Sequence, residues 1–323
     1  MHSLTMAASY TFEDLSGATP TVSDNPYDGL IEACHDSAAE IQARYETHRS
    51  ARGVQQKEKL TSPDFPGVTI DTILAKLEDQ TIEPGFKDPR HCLVFWARPP
   101  PHVKLVIAEV QKRLKTVAPH LWVMPQDSLH MTALEITHSL TDPEIDELVE
   151  QVRPGIPEIT DYTYSHRARI VKPSLSYDAQ AFALSFLPAA GEPCTADPSR
   201  KPEDDAYTYH HLRRDLYALT SATGVKVASR YVVPSAHLTV GRFIERSDTE
   251  AADGKVDHAR MQKLVKVVDE INEWLKTEYW PKDGKTIKAG GEWIVGEGKG
   301  LDSRKGALWY GSGGETVRLG KGF

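Results

Sequence analysis

The chain has 323 residues, room for one large domain or two modest ones. Its 46 acidic residues against 38 lysines and arginines leave a net charge of −8, which argues against coating DNA or RNA by bulk phosphate neutralisation. A content of 40% hydrophobic and 26% charged residues excludes wholesale disorder, and three scattered cysteines (Cys34, Cys92, Cys194) suit neither a disulfide framework nor a zinc ribbon.

Residues 1–28 are rich in Ser, Thr, Asp and Pro and are expected to be poorly ordered. Residues 29–60 have helical composition with a thin apolar stripe, and four prolines between 63 and 89 follow. The segment 29–89 is therefore expected to be a helical N-terminal extension, a solvated cap or a docking surface for a protein partner. A chain lacking residues 1–85 is expected to fold and to work.

From residue 90 the grammar changes. Cys92–Ala97 reads as a buried strand closed by Pro99–Pro101. A helix follows with Val103, Val106, Ile107, Val110, Leu114 and Val117 on one face, then short strands at 121–124 and 128–136. Asp142 is expected to cap a helix that carries Ile145, Leu148, Val149 and Val152 inward. Segments 167–174 and 181–187 read as paired strands, the second alternating Phe182, Leu184 and Phe186 against Ala181, Ala183 and Ser185. A helix through Tyr209, Leu212, Leu216 and Leu219 opens a second round, followed by strands at 230–233 and 236–243. A long helix carries Met261, Leu264, Val265, Val268, Ile271 and Leu275, and the strands EWIVGEG, ALWYG and ETVRLG close the chain. Helix, short strand, strand, helix thus occurs twice, which is the pattern of two α+β halves packed together.

Both rounds place the same tripeptide at the same point: His130-Met131-Thr132 and His237-Leu238-Thr239. The chain has four His-x-Ser/Thr tripeptides where composition alone yields roughly two, so the tripeptide means little by itself. His35-Asp36-Ser37 and His48-Arg49-Ser50 lie in the helical N-terminal region. Only the copies at 130 and 237 sit on apolar strand-like runs. On a strand, residues i and i+2 share a face, so each imidazole projects with its threonine while Met131 or Leu238 turns to the core. Two such strands around one cleft supply a base for an attacking water, an acid for a leaving alkoxide and hydroxyls for phosphate oxygens.

These residues resemble the signature of the two-histidine (2H) phosphoesterases, the superfamily of RNA ligase-like enzymes and cyclic nucleotide phosphodiesterases. Here the signature reads His130-Met-Thr132-Ala-Leu134 and His237-Leu-Thr239-Val-Gly241, 107 residues apart, and the likeness spans about 90–323. It implies a bilobed α+β fold, two antiparallel sheets flanked by helices around a pseudo-two-fold central cleft. It further implies metal-independent hydrolysis of a cyclic phosphate, on a 2′,3′-cyclic nucleotide or an RNA end, with His130, Thr132, His237 and Thr239 catalytic and no cofactor. The alternatives are a 2′,5′-phosphodiesterase, an RNA-end ligase, or a nucleotide- or RNA-binding module without turnover.

Further candidates are weaker. Arg242 follows the second motif, but strict alternation from His237 points it away unless a bulge at Gly241 re-aims it. Trp96, Arg98, Tyr231, Trp309 and Tyr310 stand near strand ends as candidate base-stacking or phosphate-binding groups, with packing roles as the alternative. Gly296-Glu-Gly298-Lys-Gly300 lacks a following helix and reads as a turn. His210 and His211 have no ligand-spaced carboxylate or cysteine beside them, so no metal site is expected. No run of about 18 apolar residues suggests a membrane span, and the first residues lack the pattern of a secretory signal. A cytoplasmic or nuclear setting is expected, with a small nucleotide or RNA-end substrate.

Overall fold

Cys92–Ala97 is apolar throughout because it is covered on both faces. Leu93, Phe95 and Ala97 enter the main core, whereas Cys92, Val94 and Trp96 pack separately with Leu308. The strand therefore divides two environments, and the second is the floor of a cleft.

The computed structural model describes residues 13–18, 23–194, 197, 199–282 and 286–323. Helices α1 (Asp28–Ala33), α2 (Ala38–Thr61) and α3 (Thr72–Glu78) precede β1 (His91–Ala97), α4 (Pro101–Lys115), β2 (Trp122–Val123) and β3 (Met131–Leu140). Then come α5 (Asp142–Val152), α6 (Ile156–Asp161), β4 (Arg169–Tyr177), β5 (Ala181–Pro188), α7 (Tyr209–Ala222) and β6 (Ala236–Arg242). Helix α8 (His258–Tyr279) and strands β7 (Glu292–Ile294), β8 (Lys299–Gly306) and β9 (Glu315–Lys321) complete the chain. The strands form two antiparallel sheets, in the orders β3-β1-β8-β9 and β2-β6-β5-β4-β7. This is the expected α+β architecture. The two motif strands, β3 and β6, come into contact where the sheets meet.

Several local expectations are corrected. Residues 29–60, of helical composition, fall in two helices, α1 and α2. His35 and Asp36 take left-handed backbone (φ 51° and 59°), and the Ser37 hydroxyl caps α2. Thr141, not Asp142, caps α5, its backbone N–H and hydroxyl both meeting the Glu144 carboxylate. Residues 230–233 are not a strand. Pro234 interrupts the run, and Arg230 is held beside β3 by the Glu135 side chain. The apolar ALWYG is a turn, and the polar KGLDSRKG before it is the inner strand β8. Asp302 of this strand holds Arg98 and accepts from the Thr316 hydroxyl of β9, while Ser303 Oγ and Arg304 Nε are buried without a hydrogen-bond partner among the described residues.

The N-terminal region departs most from expectation. Residues 1–12 and 19–22 of the segment expected to be unordered lie outside the described residues. Of the remainder, Ser16 is fully buried, and the Leu15 N–H donates to His48 Nδ1 at 3.0 Å. Tyr27, Leu30, Ile31, Ile41, Tyr45, Leu60, Phe65 and Val68 belong to the same core cluster as β1 and β6. Helix α2 lies against α8 and β5. The thin stripe of α2 therefore underestimates its burial: Tyr45 bonds buried His210, and Arg49 donates to the Lys172 carbonyl. This packing ties residues 27–68 to the shared core, and truncation before residue 86 would test what they contribute to folding.

Candidate active site

His130, Thr132, His237 and Thr239 line one cleft. The next residue that each strand sends there is not at the spacing alternation would give. On β3, Phe95 pairs with Leu134 but Trp96 with Thr132, so β3 carries an extra residue after Thr132. On β6, Phe182 pairs with Gly241 but Ala183 with Thr239, the same irregularity after Thr239. Each bulge puts two consecutive residues into the interior, Ala133-Leu134 and Val240-Gly241. The face parity flips, and Glu135 and Arg242 join the cleft. Gly241 suits this place: a Cβ there would lie 3.1 Å from the Trp122 carbonyl oxygen and from Leu121.

The first histidine is held by a hydrogen bond and a stacked ring. The Ser128 carbonyl lies 2.8 Å from His130 Nδ1, and because a carbonyl only accepts, Nδ1 carries the proton. Nε2 is left for the cleft. The ring of Trp96 stacks on the imidazole at 3.9 Å between centroids, and Arg98 packs over that indole at 4.7 Å. His237 is set differently: the Ser235 hydroxyl lies 3.0 Å from its Nδ1, and the Tyr231 ring is tilted against it at 5.6 Å.

Both imidazoles are strongly disfavoured as cations. Burial pushes His130 down to about 3, aided by the positive charges of Arg98, His237 and Arg242 and opposed by the Ser128 carbonyl. Burial likewise pushes His237 down to about 4, aided by Arg213, Arg52, Arg242 and His48. These neighbours make the free cleft a positive environment that disfavours a further positive charge.

Buried carboxylates fix the arginines. Glu135 takes a two-pronged contact from Arg230 (2.9 and 2.6 Å). Arg242 Nη1 lies 3.4 Å from Asp71, whose other oxygen accepts from the Tyr310 hydroxyl at 2.6 Å. Its Nε is buried without a hydrogen-bond partner among the described residues. Trp309 has Arg90 packed over its ring at 4.2 Å and Arg230 at 4.4 Å.

The candidates thus separate. Arg242, Trp96, Tyr231 and Trp309 line the cleft. Trp96 is 2% exposed, so its contribution is to orient His130 and not to stack a base. Trp309 is engaged by two guanidiniums. Arg98 stands behind Trp96, and Tyr310 stands behind Arg242, where it braces Asp71. The sequence reading overlooked Glu135, Arg230, Asp71 and Ser128. For Glu135 a signal existed: both motifs read His-x-Thr followed by two small or apolar residues and then a charge, a doubled interior position that breaks strand alternation. Asp71 and Arg230 are joined to the motifs only by contacts across the fold.

Among the described residues, no group of three or more His, Cys, Asp or Glu side chains is placed to hold a metal ion, and no helix is long and apolar enough to cross a membrane. His210 is enclosed by Tyr45 and the Tyr27 carbonyl, and His211 by Thr208 and Asp36.

The class defined by fold and site is a two-sheet α+β protein with paired His-x-Thr strands at one cleft. No protein-family model and no curated protein matches the chain. Among solved structures it is similar to the conserved protein of unknown function ATU0111 from Agrobacterium tumefaciens strain C58, with 14% identity and a TM-score of 0.44 over 72% of this chain and 87% of that one. It is also similar to Usb1 of Kluyveromyces marxianus, solved with uridine monophosphate, with 12% identity and a TM-score of 0.36 over 71% of this chain and 97% of that one.

Proposed function

We propose that the chain is a metal-independent phosphodiesterase of the two-histidine type, which opens a cyclic phosphate on a 2′,3′-cyclic nucleotide or an RNA end. The observation that carries this reading is the convergence of two His-x-Thr strands on one cleft, each continued through a bulge to a charged residue. The unpartnered Nε of Arg242 adds a donor suited to a phosphate oxygen.

In this reading His130 is the base. Its Nδ1 proton is committed to the Ser128 carbonyl, which leaves the Nε2 lone pair to take a proton from water. The water oxygen bonds to phosphorus, the ring P–O bond breaks, and the departing sugar oxygen receives a proton from His237. Thr132, Thr239 and Arg242 hold the non-bridging oxygens as charge builds on them. The bound anion also raises the proton affinity of the pair, countering the arginines that depress it in the free cleft.

Turnover of nucleoside 2′,3′-cyclic monophosphates in EDTA tests the reading. His130→Ala and His237→Ala are each expected to cost about 10²–10⁴-fold in kcat. An activated ester with a p-nitrophenolate leaving group should bypass the acid, restoring much of the rate to His237→Ala and little to His130→Ala. Near-normal kcat in either alanine variant, or activity lost to EDTA and regained with a divalent metal, refutes the mechanism.

A further inference from the structure

The cleft is open on the His237 side. Six of its residues, Arg230, Tyr231, His237, Thr239, Arg242 and Trp309, also border a second chamber of about 380 Å³, within the range of small-molecule pockets. Small side chains on β5, Ala181, Ala183 and Ser185, leave this space empty, while Phe182 and Leu184 between them fill the core. The far wall is α2. Its Tyr45, His48, Arg49 and Arg52 stand at i, i+3, i+4 and i+7 and so share one helical face.

The two arginines on that face differ. Arg49 is committed: it donates to the Lys172 carbonyl, pairs with Glu46 and packs on Trp280. Arg52 makes one ion pair, Nη2 to Asp178 Oδ2 at 3.0 Å. The other oxygen of Asp178 accepts the N–H groups of Gln180 and Ala181, so the carboxylate anchoring Arg52 is itself fixed in the β4–β5 turn. Both side chains of the pair are 29% exposed, and the guanidinium makes no other hydrogen bond among the described residues. Each of the five arginines that border the chamber (Arg49, Arg52, Arg90, Arg230, Arg242) faces a carboxylate, but Arg52 keeps N–H donors that no group among the described residues takes up, which suits a phosphate oxygen.

We propose that this chamber receives a second, phosphorylated nucleoside of the substrate, with Arg52 of α2 on that unit's phosphate. The inference rests on the phosphodiesterase reading and narrows it, of the two substrates named there, to the one with at least two nucleotide units. It also gives the N-terminal helix a part in binding: α2 closes the chamber that the sheet leaves open.

The experiment compares kcat/KM, on the full chain, for a nucleoside 2′,3′-cyclic monophosphate and for a dinucleotide ending in the same cyclic phosphate. The dinucleotide is expected to be preferred at least tenfold, the scale of a charge-assisted hydrogen bond plus apolar contact. Arg52→Gln should reduce that preference several-fold, and Arg52→Lys, which retains the charge, should keep most of it. The ratio of two substrates on one preparation is insensitive to any misfolded fraction, and a half-exposed ion pair contributes little to folding. Equal kcat/KM for the two substrates, or a preference unchanged in Arg52→Gln, overturns the chamber assignment alone. Turnover of neither substrate overturns the phosphodiesterase reading beneath it.

Discussion

Gly311 offers a test of how His130 is held. Its backbone is left-handed (φ +73°), and a Cβ there would overlap the Ser128 carbonyl oxygen and lie 2.9 Å from Ser128 Cβ. That carbonyl receives the His130 Nδ1 proton at 2.8 Å. Gly311→Ala must therefore push Ser128 away, and the hydrogen bond weakens steeply beyond ordinary length. A suitable control is Gly254→Ala, which is also left-handed (φ +76°) but has nothing within 4 Å of the added methyl. The control meets only the backbone penalty of about 1–2 kcal/mol, partly offset by a stiffer unfolded chain. Gly311→Ala adds overpacking of about 1–3 kcal/mol. Denaturant midpoints would show the difference in stability. Nitrogen-15 spectra of the imidazoles should show His130 losing its single Nδ1-protonated tautomer in Gly311→Ala but not in Gly254→Ala. On a 2′,3′-cyclic nucleotide, kcat should fall about 10–100-fold in the first variant, part of the worth of a positioned base, and stay normal in the second. Equal destabilisation of both variants, with the tautomer intact, would refute this account of how His130 is oriented.

Deletion of residues 1–85 should abolish cooperative folding. It removes eight large apolar side chains from the shared core, at about 1.5–3 kcal/mol each, more than the whole stability of a typical domain; a sharp unfolding transition in the truncated chain would contradict this. Because His130 and His237 are held below the ordinary histidine range, the unfolded chain binds protons more readily than the folded one below about pH 6.5. Their contribution should lower stability progressively as the pH falls from about 6.5 towards 3, and His237→Gln should flatten part of that slope in denaturant titrations. Inorganic phosphate supplies the negative charge that the pair lacks, so its binding at pH 6 should take up protons. Calorimetry in buffers of different ionisation enthalpy would measure the uptake, and its absence would show that phosphate does not sit between the histidines.

Periodicity and turn chemistry along the chain were enough to place the helices at 101–115 and 258–279, the β4–β5 pair and both His-x-Thr strands, since each of these is decided by apolar spacing within one segment. That each histidine shares a face with its own threonine was legible for the same reason: an i, i+2 relation on a strand needs no knowledge of the rest of the fold. Where contacts distant in sequence settle the matter, local pattern misled. The apolar ALWYG became a turn and polar KGLDSRKG an inner strand, where Asp302 is met by Arg98, 204 residues away, and by Thr316 of the neighbouring strand β9. Arg242 entered the cleft because register with β5 forces an extra residue into β6, and alternation alone cannot reveal that register. The thin stripe of α2 read as a detachable surface helix, but its polar residues are themselves buried partners of β4 and α7. A side chain's own character sets what it can bond, and only the assembled fold decides which partner is within reach.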